Sequence, residues 1–534
     1  MVSLVLSRSP RDQSRPSDDA ESVPRNRTFE MPRSHQDKRP LRSHDLLFGE
    51  LTRRPTFVFL SLLVILLPAV LPLACSPENE KAGIENVLLI SIDALRARNS
   101  GAYGYDRDTT PNLDLLASEG TLFERAYTQQ AWTLSSHISI FTGVYPGVHR
   151  ASKSRPPLPA IKTLAQILKR NGFTTGAFTG IGGLMEPKFG LERGFDHYET
   201  GVNDAQKDNA PRFEWLQDQA WARKTYPDHR FFMFSHYYDV HSDLGTDTPY
   251  HSPPPFGLMY LNGKLDWKYR GDTALLSWFQ KTRNVSPYDQ DILRALYDGC
   301  IRYVDEKGLG LLLEKLKALG LYESTLIIVL SDHGEEFFEH GAVTHQQTYE
   351  ETTRVPLILR GPGVPKGLRI PYLVELVDVA PTVLSLLSIP IPEYVQGESL
   401  VPLFDGARPK KIAAHIDGSV EIWVAKSRVV LEKDGEYWSY LNTVVPTYGG
   451  ADSIPFKTDE PGELYRLATD PDEKSNLIDE RPQIARSARK ELIRWYSENQ
   501  SLSRQLEKMG SAGIRSQEEK EELEEILKEL HYIR

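Results

Sequence analysis

Three short apolar runs in this chain each lead into acids or histidines, and no other feature constrains its fold as strongly. Asn86–Ser91 (NVLLIS) leads to Asp93, Phe231–Phe234 (FFMF) to His236, Asp239 and His241, and Thr325–Leu330 (TLIIVL) to Asp332 and His333. Apolar runs of this length suit strands buried on both faces. Residues 111–120 (PNLDLLASEG), with Pro at the start and Gly at the end, predict a helix, as does Leu164–Arg170. Thr174–Phe178 and Val355–Leu359 predict further strands. The alternation predicts an α/β fold, a mostly parallel sheet covered by helices on both faces. Ligands of such sheets bind outside the carboxyl ends of the strands. The acids and histidines stand at those ends, so an active site is expected there.

Charge and cysteine content exclude other classes. With 63 Lys/Arg against 73 Asp/Glu the net charge is −10, so no basic field recommends nucleic acid as a partner. The 2 cysteines, Cys75 and Cys300, exclude a disulfide framework and a Cys-rich zinc site. Cys300 lies in a helical pattern and is expected to be a packed, inert thiol.

The first residues do not read as part of the fold. Residues 1–56 hold 11 Lys/Arg and 8 Asp/Glu among many Ser and Pro, the composition of a disordered segment. The run Phe57–Ala74 follows Arg53-Arg54 and ends at Cys75. A basic flank, an apolar core and small residues before a cysteine describe an export signal. Its Leu-Ala-Cys ending resembles a bacterial lipoprotein box. Residues 57–75 are therefore expected to be a signal with a lipid anchor on Cys75, in preference to a retained helix. About 18 apolar residues barely cross a bilayer of roughly 30 Å, and Pro68 and Pro72 weaken the helix. The expected location is the cell envelope, membrane-anchored and facing the periplasm or exterior.

After about residue 405 the texture changes. Residues 411–441 read as short strands with turns at Asp417-Gly418 and Asp434-Gly435, followed by a helix near 481–498 and an acidic helix at the end. The expected division is a catalytic domain over 85–405 and a small antiparallel α+β subdomain with terminal helices over 406–534.

Asp93, Asp332 and His333 supply two carboxylates and an imidazole from two strand ends. Such a mixed set suits a divalent cation with an open position. The segment AWTLSSHISIFTG places Thr133 just before an apolar helical stretch, where amide N–H groups would face an anion. A bound cation would lower the cost of forming a threonine alkoxide. On the residues alone, Thr133, Ser135 and Ser136 are equally readable as helix caps.

Several motifs run in order along the chain: NVLLISIDALR, TLSSHISIFTGVYP, FSHYYDVH, VLSDHGEEFFEHG with YEETTRVPLILRGPG, and GELYRLATDPDEKSNL. Over about residues 85–534 they resemble the sulfatase branch of the alkaline phosphatase superfamily. The resemblance implies an alkaline-phosphatase-like sheet, with Asp93, Asp332, His333 and Thr133 as metal ligands. It implies Thr133 at the nucleophile position, His241 at a leaving-group histidine, and His345 where many sulfatases carry a lysine that touches the sulfate.

The departures are chemical. Authentic sulfatases make formylglycine from Cys or Ser, whereas oxidised Thr would give a ketone, so no formylglycine is expected at Thr133. The motif proline is Ser135 and its arginine is His137, and the second acid of the opening pair is Ala94. Unmodified metal-bound threonine resembles the phosphodiesterases and phospho-head-group transferases of the superfamily.

The expected activity is therefore an exported, metal-dependent hydrolysis of sulfate or phosphate (di)esters through a covalent Thr133 ester. His241 or His236 would protonate the departing oxygen, and His137 and His345 would hold charge on the equatorial oxygens. One divalent ion (Ca, Zn or Mn) is expected, with a second, on Asp239, His241 and His345, as an open option. The expected partners are a sulfated or phosphorylated small molecule, glycan or lipid, and a membrane through the N-terminal anchor. The alternatives are a phosphoethanolamine- or phosphoglycerol-type transferase and a non-catalytic surface binding protein. Aromatic residues of the 180–290 region, among them Trp215, Trp221 and Trp278, are candidates for stacking on sugar rings.

Overall fold

The first strand, β1 (Asn86–Ile92), is buried along its whole length. Val87 and Leu89 enter one apolar cluster, and Leu88, Ile90 and Ile92 enter another. Because successive side chains of a strand point to opposite faces, this parity shows that both faces are covered. Leu113 and Leu116 of α1 (Pro111–Ser118) pack on the Leu88 side, with the helices Ala205–Thr225 and Pro287–Tyr303. Leu134, Ile138 and Phe141 of α2 (Thr133–Thr142) pack on the other, with Leu164–Arg170 and Val379–Leu386.

This computed structural model describes residues 83–152, 156–180, 185–201, 203–242, 249–261, 269, 275–420, 423–424, 426–443 and 462–513. The segment 1–56, the apolar run with Cys75 and the acidic C-terminal stretch lie outside the described residues. Among the described residues no helix is long and apolar enough to cross a membrane.

The further strands up to residue 375 are β2 (Thr121–Tyr127), β3 (Phe173–Thr179), β4 (His197–Thr200), β5 (Arg230–Tyr237), β6 (Thr325–Leu330), β7 (Glu336–Phe337), β8 (Val343–Thr344), β9 (Arg354–Val355), β10 (Leu357–Arg360) and β11 (Leu368–Glu375). The main sheet runs β11-β2-β10-β6-β1-β5-β3-β4, with β9 on β2. Strands β6, β1, β5, β3 and β4 run parallel to one another, and β10 is antiparallel to both β6 and β2. The expected Val355–Leu359 strand is divided at Pro356, which has no N–H to give to a ladder. Strands β6, β1 and β5 lie side by side, so the residues after them meet at one edge.

The C-terminal sheet is antiparallel, in the order Ala413–Ile416, Lys426–Lys433, Glu436–Thr443, Glu463–Arg466. Asp434 and Gly435, at φ 55° and 79°, form the tight turn between paired Lys433 and Glu436. Asp417-Gly418 makes no such two-residue turn. The Asp417 amide donates to the Gln129 carbonyl and its carboxylate accepts from Tyr496, which ties this point to other elements. The helix expected near 481–498 extends over Pro482–Gly513 and sets Ala488, Leu492 and Trp495 against Val429, Leu431 and Trp438 of the sheet.

Candidate active site

Helix α2 begins at Thr133, directly after Trp132, and no side chain caps its first turn. Thr133 is thus the first helical residue and not the cap, which leaves its hydroxyl free for other partners. The hydroxyl lies 3.2 Å from His333 Nε2 and donates to Asp93 Oδ2 over 3.5 Å. Asp93, Asp332 and His333 are buried, and one ligand atom of each lies within 4.8 Å of the others.

The hydrogen bonds around His333 decide which way its ring faces. Its Nδ1–H donates to the Gly334 carbonyl at 2.9 Å, which turns Nε2 toward the site. That nitrogen faces Asp93 Oδ1 and Asp332 Oδ2, each at 3.4 Å. Asp332 Oδ2 is buried and has no hydrogen-bond partner among the described residues. Two buried carboxylates this close together repel one another unless a cation lies between them. The donor set therefore fits a divalent ion bound by oxygen and imidazole.

A second layer of residues holds these groups in place. The Ala94 amide donates to Asp332 Oδ1 at 3.3 Å, Ser136 Oγ–H donates to the Asp332 carbonyl at 2.8 Å, and Ser331 Oγ–H donates to the His333 carbonyl at 2.6 Å. Ala94 adopts a left-handed φ of 59°, and the hydrogen bond from its N–H to the Asp332 carboxylate joins the ends of β1 and β6. Gly334 is required by a close approach: a Cβ there would meet the Glu351 carbonyl oxygen at 2.0 Å. Sequence reading did not single out Ser91, Ser331 or Gly334. The glycine directly after the Asp-His pair was the available signal.

His236 and His137 belong to this supporting layer. His236 Nε2–H donates to Asp93 Oδ2 at 3.1 Å, and its Nδ1 accepts from the Gly180 amide at 3.3 Å. His137 Nδ1–H donates to the Thr133 carbonyl at 2.7 Å, and its Nε2 accepts from Ser91 Oγ at 3.0 Å. Burial lowers the pKa of each ring to about 4, although Asp332 opposes the shift. Both rings are neutral at physiological pH with both nitrogens engaged. His236, expected at the departing oxygen, and His137, expected at the equatorial oxygens, thus each have both ring nitrogens engaged by protein partners.

His241 and His345 sit on the other side of His333. The His333 and His345 rings stack at 4.3 Å, His241 and His345 lie 4.8 Å apart, and Tyr238 stacks on His241 at 4.4 Å. His241 Nδ1 has no hydrogen-bond partner among the described residues. Burial and the neighbouring imidazoles of His345 and His333 push its pKa well below the ordinary value. His241, His333 and His345 also bring ligand atoms within 4.8 Å of one another. Asp239 is not part of that group. Its Oδ1 accepts from the Ala205 amide at 2.9 Å, at the start of the helix Ala205–Thr225. Of the aromatic candidates, Trp215 packs against the core through Phe178 and Phe231, whereas Trp221 and Trp278 are exposed.

A family model for sulfatases matches residues 85–389. The chain belongs to the sulfatase family. It is 24% identical to arylsulfatase K of Rattus norvegicus over 492 residues, covering 81% of this chain and 82% of that protein. It is also 24% identical to the ulvan-active sulfatase of Formosa agariphila over 420 residues, covering 74% of this chain and 77% of that one. Among solved structures, the phosphonate monoester hydrolase of Silicibacter pomeroyi superposes with a TM-score of 0.59 at 21% identity, over 78% of this chain and 96% of that one. A 2-O GAG sulfatase superposes with a TM-score of 0.58 at 20% identity, over 79% and 94%. These likenesses place the sheet with Asp93 and Asp332 in the sulfatase fold.

Proposed function

We propose that this member of the sulfatase family hydrolyses sulfate esters of a glycan with the unmodified hydroxyl of Thr133 as nucleophile. The observation that carries the reading is Thr133 Oγ1 at 3.2 Å from His333 Nε2, beside Asp93. Relatives support the substrate class: one curated relative is an ulvan-active sulfatase, and one solved neighbour is in complex with D-glucosamine-2-N,6-O-disulfate.

Asp93, Asp332 and His333 would hold the divalent ion, with Thr133 beside them. When bound, it would supply Lewis-acid stabilisation of negative charge on the Thr133 oxygen and the substrate oxygens. The Thr133 hydroxyl points its proton at Asp93 Oδ2, an acceptor that His236 holds in place. Having lost that proton, Thr133 Oγ1 bonds to sulfur as the bond from sulfur to the ester oxygen breaks. The departing oxygen takes that electron pair and, through water, the proton first accepted by Asp93, while the neutral ring of His241 would orient that water. The first-turn amides of α2, left without a side-chain cap, face the developing charge. Water then attacks the Thr133 ester, releasing sulfate and restoring the hydroxyl.

One observation favours a second reading, hydrolysis of phosphate diesters or phosphonate monoesters. A formylglycine hydrate can release its ester by breaking the carbon–oxygen bond, and a threonine ester cannot. Release from Thr133 needs a second attack at the central atom, which a phosphoryl group accommodates readily. Assay of the purified protein on aryl sulfate, phosphomonoester, phosphodiester and phosphonate substrates separates the two. A preference for sulfate supports the first reading, and a preference for phosphorus supports the second. Inertness on all four removes both and leaves transfer or binding. The apolar run before Cys75 supports placing the enzyme in the cell envelope through a lipid anchor.

A further inference from the structure

A second group of ligating side chains, sharing no residue with the Thr133 site, lies where three distant segments meet. His340 stands between β7 and β8, Glu351 in the helical turn Glu350–Thr353, and Glu473 in the C-terminal subdomain. One ligand atom from each lies within 4.8 Å of the others. Both carboxylate oxygens of Glu351, a residue 1% exposed, are buried without a hydrogen-bond partner among the described residues, and so is His340 Nε2. The separation of His340 Nε2 from Glu351 Oε1 is 3.7 Å, too long for a hydrogen bond. The His340 ring is fixed by stacking on Tyr349 at 3.6 Å between centroids and 6° between planes.

Glu351 has no closely paired cation among the described residues. Glu350, Glu351 and Glu473 are all buried, and buried Arg428 reaches two of them, Glu350 at 2.6 Å and Glu473 at 2.9 Å. Of the other cations near Glu351, Arg98 is 3.9 Å away and already pairs with Asp472 at 2.7 Å, and Arg96 pairs with Glu339 at 2.9 Å. Buried carboxylates in excess of their cations need a proton or another cation.

We infer that His340, Glu351 and Glu473 form a second, structural site for a divalent transition-metal ion. One imidazole nitrogen and two carboxylates match the donor preferences of Zn²⁺ or Mn²⁺. The ion would tie the β7–β8 hairpin and the turn at Glu351 to the C-terminal subdomain. That turn already holds the catalytic loop through its backbone. The Gly334 amide donates to the Thr352 carbonyl at 2.8 Å and the Glu335 amide to the Glu351 carbonyl at 3.2 Å. The loop between β6 and β7 carries Asp332 and His333, and His345 follows β8 directly. The site therefore braces the loop that presents them.

The test is metal counting on the full-length chain, stripped with a chelator, reloaded with Zn²⁺ and freed of excess ion. His340→Gln and Glu351→Gln should each hold one ion fewer than the unaltered protein. Asp332→Asn, which reports on the Thr133 site, should lose a different ion, so that His340→Gln with Asp332→Asn loses both. Zn²⁺ should raise the melting temperature of Asp332→Asn, and that increment should vanish in the double variant. Equal zinc content in His340→Gln and the unaltered protein would overturn the inference and leave the cluster holding a proton. If Glu351→Gln fails to fold, His340→Gln decides alone, because glutamine preserves the bulk against Tyr349.

Discussion

Thr133 Oγ1 and His333 Nε2 lie 3.2 Å apart although 200 positions separate them in the chain. The start of α2 and the end of β6 make that contact, and Asp93 at the end of β1 closes it from the neighbouring strand. Removing the Thr133 hydroxyl should remove the chemistry and little else. Thr133→Ala should lower kcat by about 10³-fold or more, with an unchanged melting temperature, whereas Thr133→Ser should keep measurable turnover. Steady-state rates beside circular-dichroism melts check this, and full activity in Thr133→Ala would remove the nucleophile assignment.

Two histidines that are close in sequence should fail in different ways. His236 holds Asp93, so His236→Ala should weaken ion affinity about 10–100-fold and be rescued by excess metal. His241 holds no residue of the Asp93 set by any hydrogen bond described above, so His241→Ala should lower kcat with no rescue. Chelator titrations followed by activity distinguish the two. Identical behaviour of the variants would contradict the division of roles.

Complete chelation of the unaltered protein should abolish turnover, and readdition of a divalent ion should restore it. The check is activity after exhaustive dialysis against chelator, with metal content measured on the same sample. Rates that survive at negligible metal content would count against the ion.

The C-terminal subdomain should respond to pH through His415. Its Nε2 lies 3.2 Å from Glu491 on the helix Pro482–Gly513, and its Nδ1 lies 3.8 Å from Glu375. Burial opposes its protonation, but the nearby carboxylates of Glu375 and Glu491 outweigh burial and raise its pKa. Lys411 also reaches Glu375, at 3.2 Å, so the histidine shares that carboxylate. The charged ring is the stabilising form. Its contribution is complete below the unfolded value of about 6.5 and is lost as pH rises through the higher native value. Urea midpoints measured between about pH 6 and pH 9 should fall with pH, and His415→Gln should flatten the decline.

Arg428 should be among the most costly side chains to remove. It is buried and pairs with Glu350 and Glu473, and it also donates to Ser439 at 2.9 Å. Arg428→Ala would leave two carboxylates buried without that cation, at a cost of about 3–5 kcal/mol. Adding Glu473→Gln should recover part of the loss, and chemical denaturation of both variants measures it.

Most of the sheet was legible in the sequence because the core strands are short apolar runs that end at functional residues. Asp93, Asp332 and His333 were legible for the same reason, and Thr133 because an apolar helical pattern starts at it. The division between His236 and His241 was not, since it depends on Asp93 reaching across from β1 to take the His236 proton. Asp239 looked like a ligand because a carboxylate two residues from a histidine carries no sign that it meets the Ala205 amide. Glu351 and Glu473 stand in unrelated motifs, and only the packing of the subdomain on the catalytic loop joins them.

The most direct test of the central claim is peptide mass analysis of enzyme quenched during turnover of a slow ester substrate. The account predicts an unmodified threonine at position 133 before reaction and one sulfo or phospho group on that residue after quenching. A covalent group on another residue, or turnover with none on Thr133 under conditions that trap the ester, would contradict it.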